Sequence, residues 1–97
     1  MKMANEADIR KEIIKTGILI LEKGLVQGTG GNISRRTEKG ILITPSGMDY
    51  RTLTCEDIVL LAPDGKVLEG TRVPSIERSL HLRIYRSRAD INAVIHT

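Results

Sequence analysis

Hydrophobic residues in the middle of this chain come in strand-length runs fenced by proline and glycine. Ile41-Leu42-Ile43-Thr44 stops at Pro45-Ser46-Gly47, and Ile58 to Ala62 stops at Pro63-Asp64-Gly65. Runs this short, bounded by turn residues, predict buried strands rather than helices. Pro63-Asp64-Gly65 predicts a hairpin into Val67-Leu68, and Glu38-Lys39-Gly40 a turn between a strand over Asn32 to Thr37 and the run at Ile41. Ala93-Val94-Ile95-His96 predicts a further buried strand. The chain has no Phe or Trp and only two Tyr among 97 residues. Its core must therefore be built from Ile, Leu and Val, and will be thin for a free-standing domain.

Two segments carry helical spacing instead. Apolar residues at Ile9, Ile13, Ile14, Ile18, Leu21 and Leu25 recur at intervals of three and four. Asn5 is placed as an N-cap, Glu6 and Asp8 suit the first turn, and Gly24 suits the stop. Near the other end, Ser75 is placed to cap a helix to about Arg86, with Ile76, Leu80 and Ile84 spaced four apart as its apolar stripe. Thr54 followed by Glu56 and Asp57 predicts a short helical turn. Hairpin-connected strands with a helix at either end make this an α+β chain, one domain without internal repeats.

Charge and composition exclude several classes. A net charge of +3, without a dense basic run and without aromatics to stack bases, argues against nucleic acid as partner. Arg35-Arg36 and Arg86-Ser87-Arg88 are expected on solvated faces. Nothing approaches transmembrane length, so no membrane partner is expected. A lone Cys55 and no signal-peptide pattern fit a cytoplasmic protein.

Three loops combine flexible backbone with hydroxyl, amide or N–H donors: Gly28 to Asn32, Thr44 to Gly47, and Pro74 to Glu77. Glycine exposes backbone amides that form anion-binding nests, and a helix start at Ser75 adds donors with a favourable dipole. Should the loops converge, they make a phosphate or carboxylate site; singly, each is an ordinary turn. The glycine loop matches neither the P-loop nor the dinucleotide fingerprint. Glu77 reads either as a solvated first-turn acid or as an acid/base. His81, four residues on, shares its helix face, which suits a metal pair or a satisfied structural histidine. His96 lies in an apolar strand, where an imidazole is either a ligand or a hydrogen-bonded buried group.

The segments GTGGNIS, ILITPSGM, VPSIERSLHLRIY and INAVIHT, in this order and spacing, resemble the N-terminal half of the class II aldolase/adducin family, which includes L-fuculose-phosphate aldolase. The resemblance spans about Ile9 to Thr97. It implies an αβα sandwich around a mainly antiparallel sheet, a cytoplasmic homotetramer of carbohydrate metabolism, and a zinc-dependent lyase acting on a sugar phosphate. The implied reaction is reversible carbon–carbon cleavage beside a ketone through a metal-stabilised ene-diolate. Carried over by motif, Gly31 and Asn32 match the first phosphate-binding segment, Ser46 and Gly47 the second, and Ser75 the third. Glu77 matches the catalytic acid/base, and His96 the first histidine of a His-x-His zinc pair. His81 matches a family histidine that is not a ligand. Ile76 departs from the pattern, standing where the family usually carries a second hydroxyl.

The second zinc histidine is expected immediately after Thr97. Residues 1–97 are therefore expected to be the N-terminal part of one domain whose C-terminal half is absent, inactive by themselves. Alternatives are a metal-free adducin-like interaction module, or an epimerase or dehydratase of the same family.

Overall fold

The structure, a computed structural model, describes residues 5–97. Helix α1 spans Glu6–Glu22 and helix α2 spans Arg78–Ser87. The strands are β1 (Asn32–Arg36), β2 (Ile41–Ile43), β3 (Val59–Leu61), β4 (Val67–Glu69) and β5 (Ala93–His96). They form one antiparallel sheet in the order β4-β3-β2-β1-β5. The turns fall where proline, glycine and aspartate predicted them. Short 3-10 turns at Tyr50–Thr52 and Cys55–Asp57 bridge β2 to β3; the second is the turn expected after Thr54.

Because side chains alternate across a strand, the sheet carries two cores. Ile33, Leu42 and Leu60 turn to one face and pack with Ile9, Ile13 and Ile20 of α1, with Tyr50, Leu53 and Ile58 between. Ile41, Ile43, Val59 and Leu61 turn to the other and meet Leu82 and Tyr85 of α2. The result is the expected three-layer αβα arrangement around an antiparallel sheet.

Asn5 caps α1 as predicted, its side chain accepting from the amide of Asp8 at 2.8 Å. The buried stripe of α1 is Ile9, Ile13, Gly17 and Ile20. Leu25 falls outside the helix and is exposed. Gly17 matters because the Tyr50 ring lies where a side chain would stand: an added Cβ would meet ring carbons at 2.2–2.8 Å. That close approach seats the 3-10 turn on the helix.

Three expectations are corrected. First, α2 buries His81, Leu82 and Tyr85, whereas Ile76 is 81% and Leu80 43% exposed. The every-fourth-residue apolar stripe is the outer face, because the inner one is held by hydrogen bonds as well as by apolar contact. Moreover, α2 starts at Arg78 with Glu77 as its N-cap residue, and Ser75 accepts from the Glu77 amide at 3.2 Å in the preceding turn. Second, β5 is not buried: it is an edge strand, with Ile95 51% exposed. Third, Arg36 is not on a solvated face. Its guanidinium donates to the carbonyls of Tyr85, Arg88 and Ile91 at 2.9–3.1 Å and stacks on the Tyr85 ring. It thereby satisfies carbonyls that the end of α2 leaves without helical partners.

Candidate active site

At one end of the sheet the three loops meet. The chain leaves α1 through a tight turn in which the Gly30 amide bonds to the Gln27 carbonyl at 2.8 Å. Gly31 follows at φ +79°, where a Cβ would stand 2.6 Å from Val26 Cγ1, 3.0 Å from the His96 carbonyl oxygen and 3.3 Å from Tyr50 Oη. The glycine is thus there for both reasons that such a residue is used, a left-handed turn and a close passage.

The second and third loops are zipped together. Pro45 and Pro74 form an isolated antiparallel bridge, in which the Ser46 amide bonds to Val73 at 2.8 Å and the Ser75 amide to Thr44 at 3.0 Å. Thr44 ties this pair to β1 through its amide and hydroxyl, both bonded to Ile33. On the other side, β5 brings His96 opposite Asn32 in the β1–β5 register.

These elements enclose a cleft of about 440 Å³. Gly31, Asn32, Ser46, Gly47, Ser75, Glu77 and His96 all line it, so every candidate site residue is brought to one place. Ile76 sits at the rim, its side chain open to solvent. The amides of Gly47 and Ile76 find no backbone acceptor among the described residues. They remain free to bind an anion, including at the position where the expected hydroxyl is missing.

Glu77 is held between two groups. Its Oε2 accepts from Asn32 Nδ2 at 2.9 Å and contacts His96 Nδ1. The Asn32 amide first, and then the His96 imidazole, hold the carboxyl below the usual glutamate range. Glu77 is therefore ionised at neutral pH and ready to accept a proton. Its side chain and that of His96 are each 41% accessible, so a ligand in the cleft reaches both.

Behind Asn32 lies a buried polar cluster that sequence reasoning missed. His81 is fully buried, and burial, reinforced by nearby His96, pushes its pKa down to about 4. Its Nε2 pairs with Asn32 Oδ1, and its Nδ1 with Ser34 Oγ at 2.6 Å. Ser34 Oγ meets Tyr85 Oη at 2.7 Å. With both ring nitrogens engaged, His81 is a satisfied structural histidine and has no free lone pair for a metal shared with Glu77. A signal was present: Asn32 and Ser34 share one strand face, and His81 and Tyr85 one helix face.

Among the described residues no group of three or more His, Cys, Asp or Glu side chains is placed to hold a metal ion. His96 and Glu77 supply two adjacent donors, and a catalytic zinc site ordinarily takes three protein ligands. These residues do not complete a metal site by themselves.

Residues 11–97 match the Class II Aldolase and Adducin N-terminal domain. The chain is 48% identical over 90 residues to 5-deoxy-D-ribulose 1-phosphate aldolase of Bacillus thuringiensis serovar kurstaki, covering 91% of this chain and 42% of the relative. It is 39% identical over 95 residues to methylthioribulose-1-phosphate dehydratase of Pseudoalteromonas translucida, covering 98% and 45%. Its fold superposes on a solved L-fuculose 1-phosphate aldolase with a TM-score of 0.90 at 42% identity, covering 98% of this chain and 45% of that one. The chain thus spans less than half the length of each of these three relatives.

Proposed function

The chain belongs to the class II aldolase and adducin family, and from that membership we propose that the protein carrying it is a sugar-phosphate aldolase. Residues 1–97 would be the N-terminal part of its single domain. The observation that supports this most is the joining, in one cleft, of three donor-bearing loops with an ionised glutamate beside a histidine.

The loops hold the phosphate. Asn32 has a second N–H on Nδ2, Ser46 and Ser75 carry hydroxyls, and Gly31 and Gly47 leave the backbone bare. Together they convert binding at a remote group into orientation at the reacting carbon. Glu77 accepts and returns the proton at that centre, the work of a general acid/base. The family is generally metal-dependent; we propose zinc, with His96 as one donor and the others outside these residues. When bound, it supplies a Lewis acid. A cytoplasmic homotetramer working in carbohydrate metabolism is part of the same proposal.

The experiment incubates the intact protein with a ketose 1-phosphate, such as L-fuculose 1-phosphate or 5-deoxyribulose 1-phosphate, with and without a zinc chelator. Breaking the bond between the third and fourth carbons gives dihydroxyacetone phosphate and an aldehyde. Their release supports the aldolase, and its absence for every ketose phosphate tried counts against it. A second reading follows from the similarity to a dehydratase: loss of water with the carbon skeleton intact. Ligand binding without turnover would favour the adducin-like module.

A further inference from the structure

The polar cluster behind the cleft has one consistent set of hydrogen-bond directions. The Glu77 carboxylate only accepts, so the group of Asn32 that faces it at 2.9 Å is the NH₂. The Asn32 oxygen then faces His81 Nε2, and two acceptors do not pair, so Nε2 carries a hydrogen. A neutral imidazole bears only one, which leaves Nδ1 bare to accept from the Ser34 hydroxyl. With its hydrogen spent on His81, Ser34 accepts from the Tyr85 phenol. The donors run in one direction, from Tyr85 through Ser34 to His81, and from His81 through Asn32 to Glu77.

Asn32 depends on this order. Its two amide ends are nearly equal in size, and a flip would turn its oxygen towards a carboxylate and into a cleft lined by Ser46 and Ser75. Cross-strand pairing fixes the backbone of Asn32 against His96 but says nothing about the amide's rotation. The Glu77 carboxylate on one side and the hydrogen on His81 Nε2 on the other decide that together. His81, Ser34 and Tyr85 are all at most 4% exposed, so water does not substitute for a missing partner.

We propose that His81 is a positioning residue: a neutral imidazole protonated on Nε2 that locks the Asn32 amide with its NH₂ towards Glu77 and the cleft. It touches neither substrate nor metal and acts through Asn32. The kinetic arm of the test rests on the aldolase reading; the spectroscopic arm does not.

In the spectroscopic arm, long-range ¹H–¹⁵N correlation at pH 7 on the intact, ¹⁵N-histidine-labelled protein identifies the tautomer directly, with His81→Gln giving the assignment. The expected pattern is Nε2–H with Nδ1 bare. An Nδ1–H ring or an imidazolium would overturn the proposal, whatever reaction the protein performs. In the kinetic arm, His81→Leu removes the donor, whereas His81→Gln offers an N–H to Asn32. Misplacing a catalytic group at this scale costs roughly 10- to 100-fold, so the leucine variant should lose about that much in kcat with metal content retained. The glutamine variant should recover most of it. Unchanged kcat in His81→Leu, or equal loss in both variants with the fold intact, would overturn the assignment. Should neither variant fold, the His81 ring is assigned in the unaltered protein by its proximity to Ser34 and Asn32, and its tautomer still decides.

Discussion

The two faces of the sheet solve the same packing problem in different ways. Under α1, isoleucine meets leucine and isoleucine, and Tyr50 is the one buried residue of that cluster with a polar side chain. Under α2, fewer apolar side chains are buried, and the hydrogen-bonded run Ser34, His81, Tyr85 and Asn32 is buried among them. Burial of apolar area is non-directional and tolerates imprecision. A buried hydrogen-bonded cluster does not: each member is costly unless its partner is in place. The α1 face therefore supplies stability, and the α2 face supplies geometry to the cleft. Gly31 passes between the Tyr50 hydroxyl and the His96 carbonyl beside the cleft.

Substitutions should separate these contributions. The largest effect is expected at the end of the polar run. In the intact protein, Glu77→Gln should lower turnover by at least about 10²-fold, the low end for general acid–base catalysis, with metal content changed little. Steady-state assay and metal analysis check this; near-normal turnover would remove Glu77 from the chemistry.

On the dry face, Leu42→Ala should cost about 2–5 kcal/mol of stability, since Leu42 is fully buried in the middle strands. Where the variant is folded, kcat should change little. Urea unfolding beside a turnover assay gives both numbers. A variant that loses activity in step with Glu77→Gln would erase the distinction between the faces.

A smaller effect comes from acid. The folded pKa of His81, about 4, lies below its ordinary 6.5, so between these values the unfolded chain binds more protons than the folded one. The stability tied to its neutral form is present in full above about pH 6.5 and is lost as pH falls towards 4. The titratable groups facing it are Glu77 and His96. Unfolding midpoints between pH 7 and 4.5 should fall more steeply for the unaltered protein than for His81→Gln, and parallel slopes would refute the point.

The smallest effect should be Tyr50→Phe. The Tyr50 hydroxyl is buried without a hydrogen-bond partner among the described residues, and burial raises its pKa to about 12. Removing an unpaired polar atom is expected to be neutral or to stabilise by about 1 kcal/mol. Clear destabilisation in thermal unfolding would mean that the hydroxyl has a partner after all.

Most of the fold was legible because it is local. Asn5, Gly24, Glu38-Lys39-Gly40, Pro45-Ser46-Gly47 and Pro63-Asp64-Gly65 each act within a few residues, and they mark where elements stop. The residues that gather at the cleft were legible from their motifs. What stayed hidden depends on partners distant in sequence. The spacing of Ile76, Leu80 and Ile84 chose the wrong face of α2, because nothing near His81 or Tyr85 announces Ser34, more than forty positions earlier. Arg36 looked solvated because its acceptors are carbonyls at the end of α2. Tyr50–Thr52 was missed because its seat is an absent side chain at Gly17.

The strand order also bears on how the molecule assembles. β1 to β4 pair as a meander of sequence neighbours, whereas β5 returns past β2, β3, β4 and α2 to join β1. The entropy of closing a loop grows with its length, and pairings of high sequence separation delay folding. The meander needs only short closures, while Asn32 and His96 need the longest one that the sheet contains. We expect the cleft to be the last part to take shape, after both cores have begun to consolidate. Pulse-labelled hydrogen exchange should then show the β5 amides protected later than those of β2 and β3; simultaneous protection would mean that the strands lock in together.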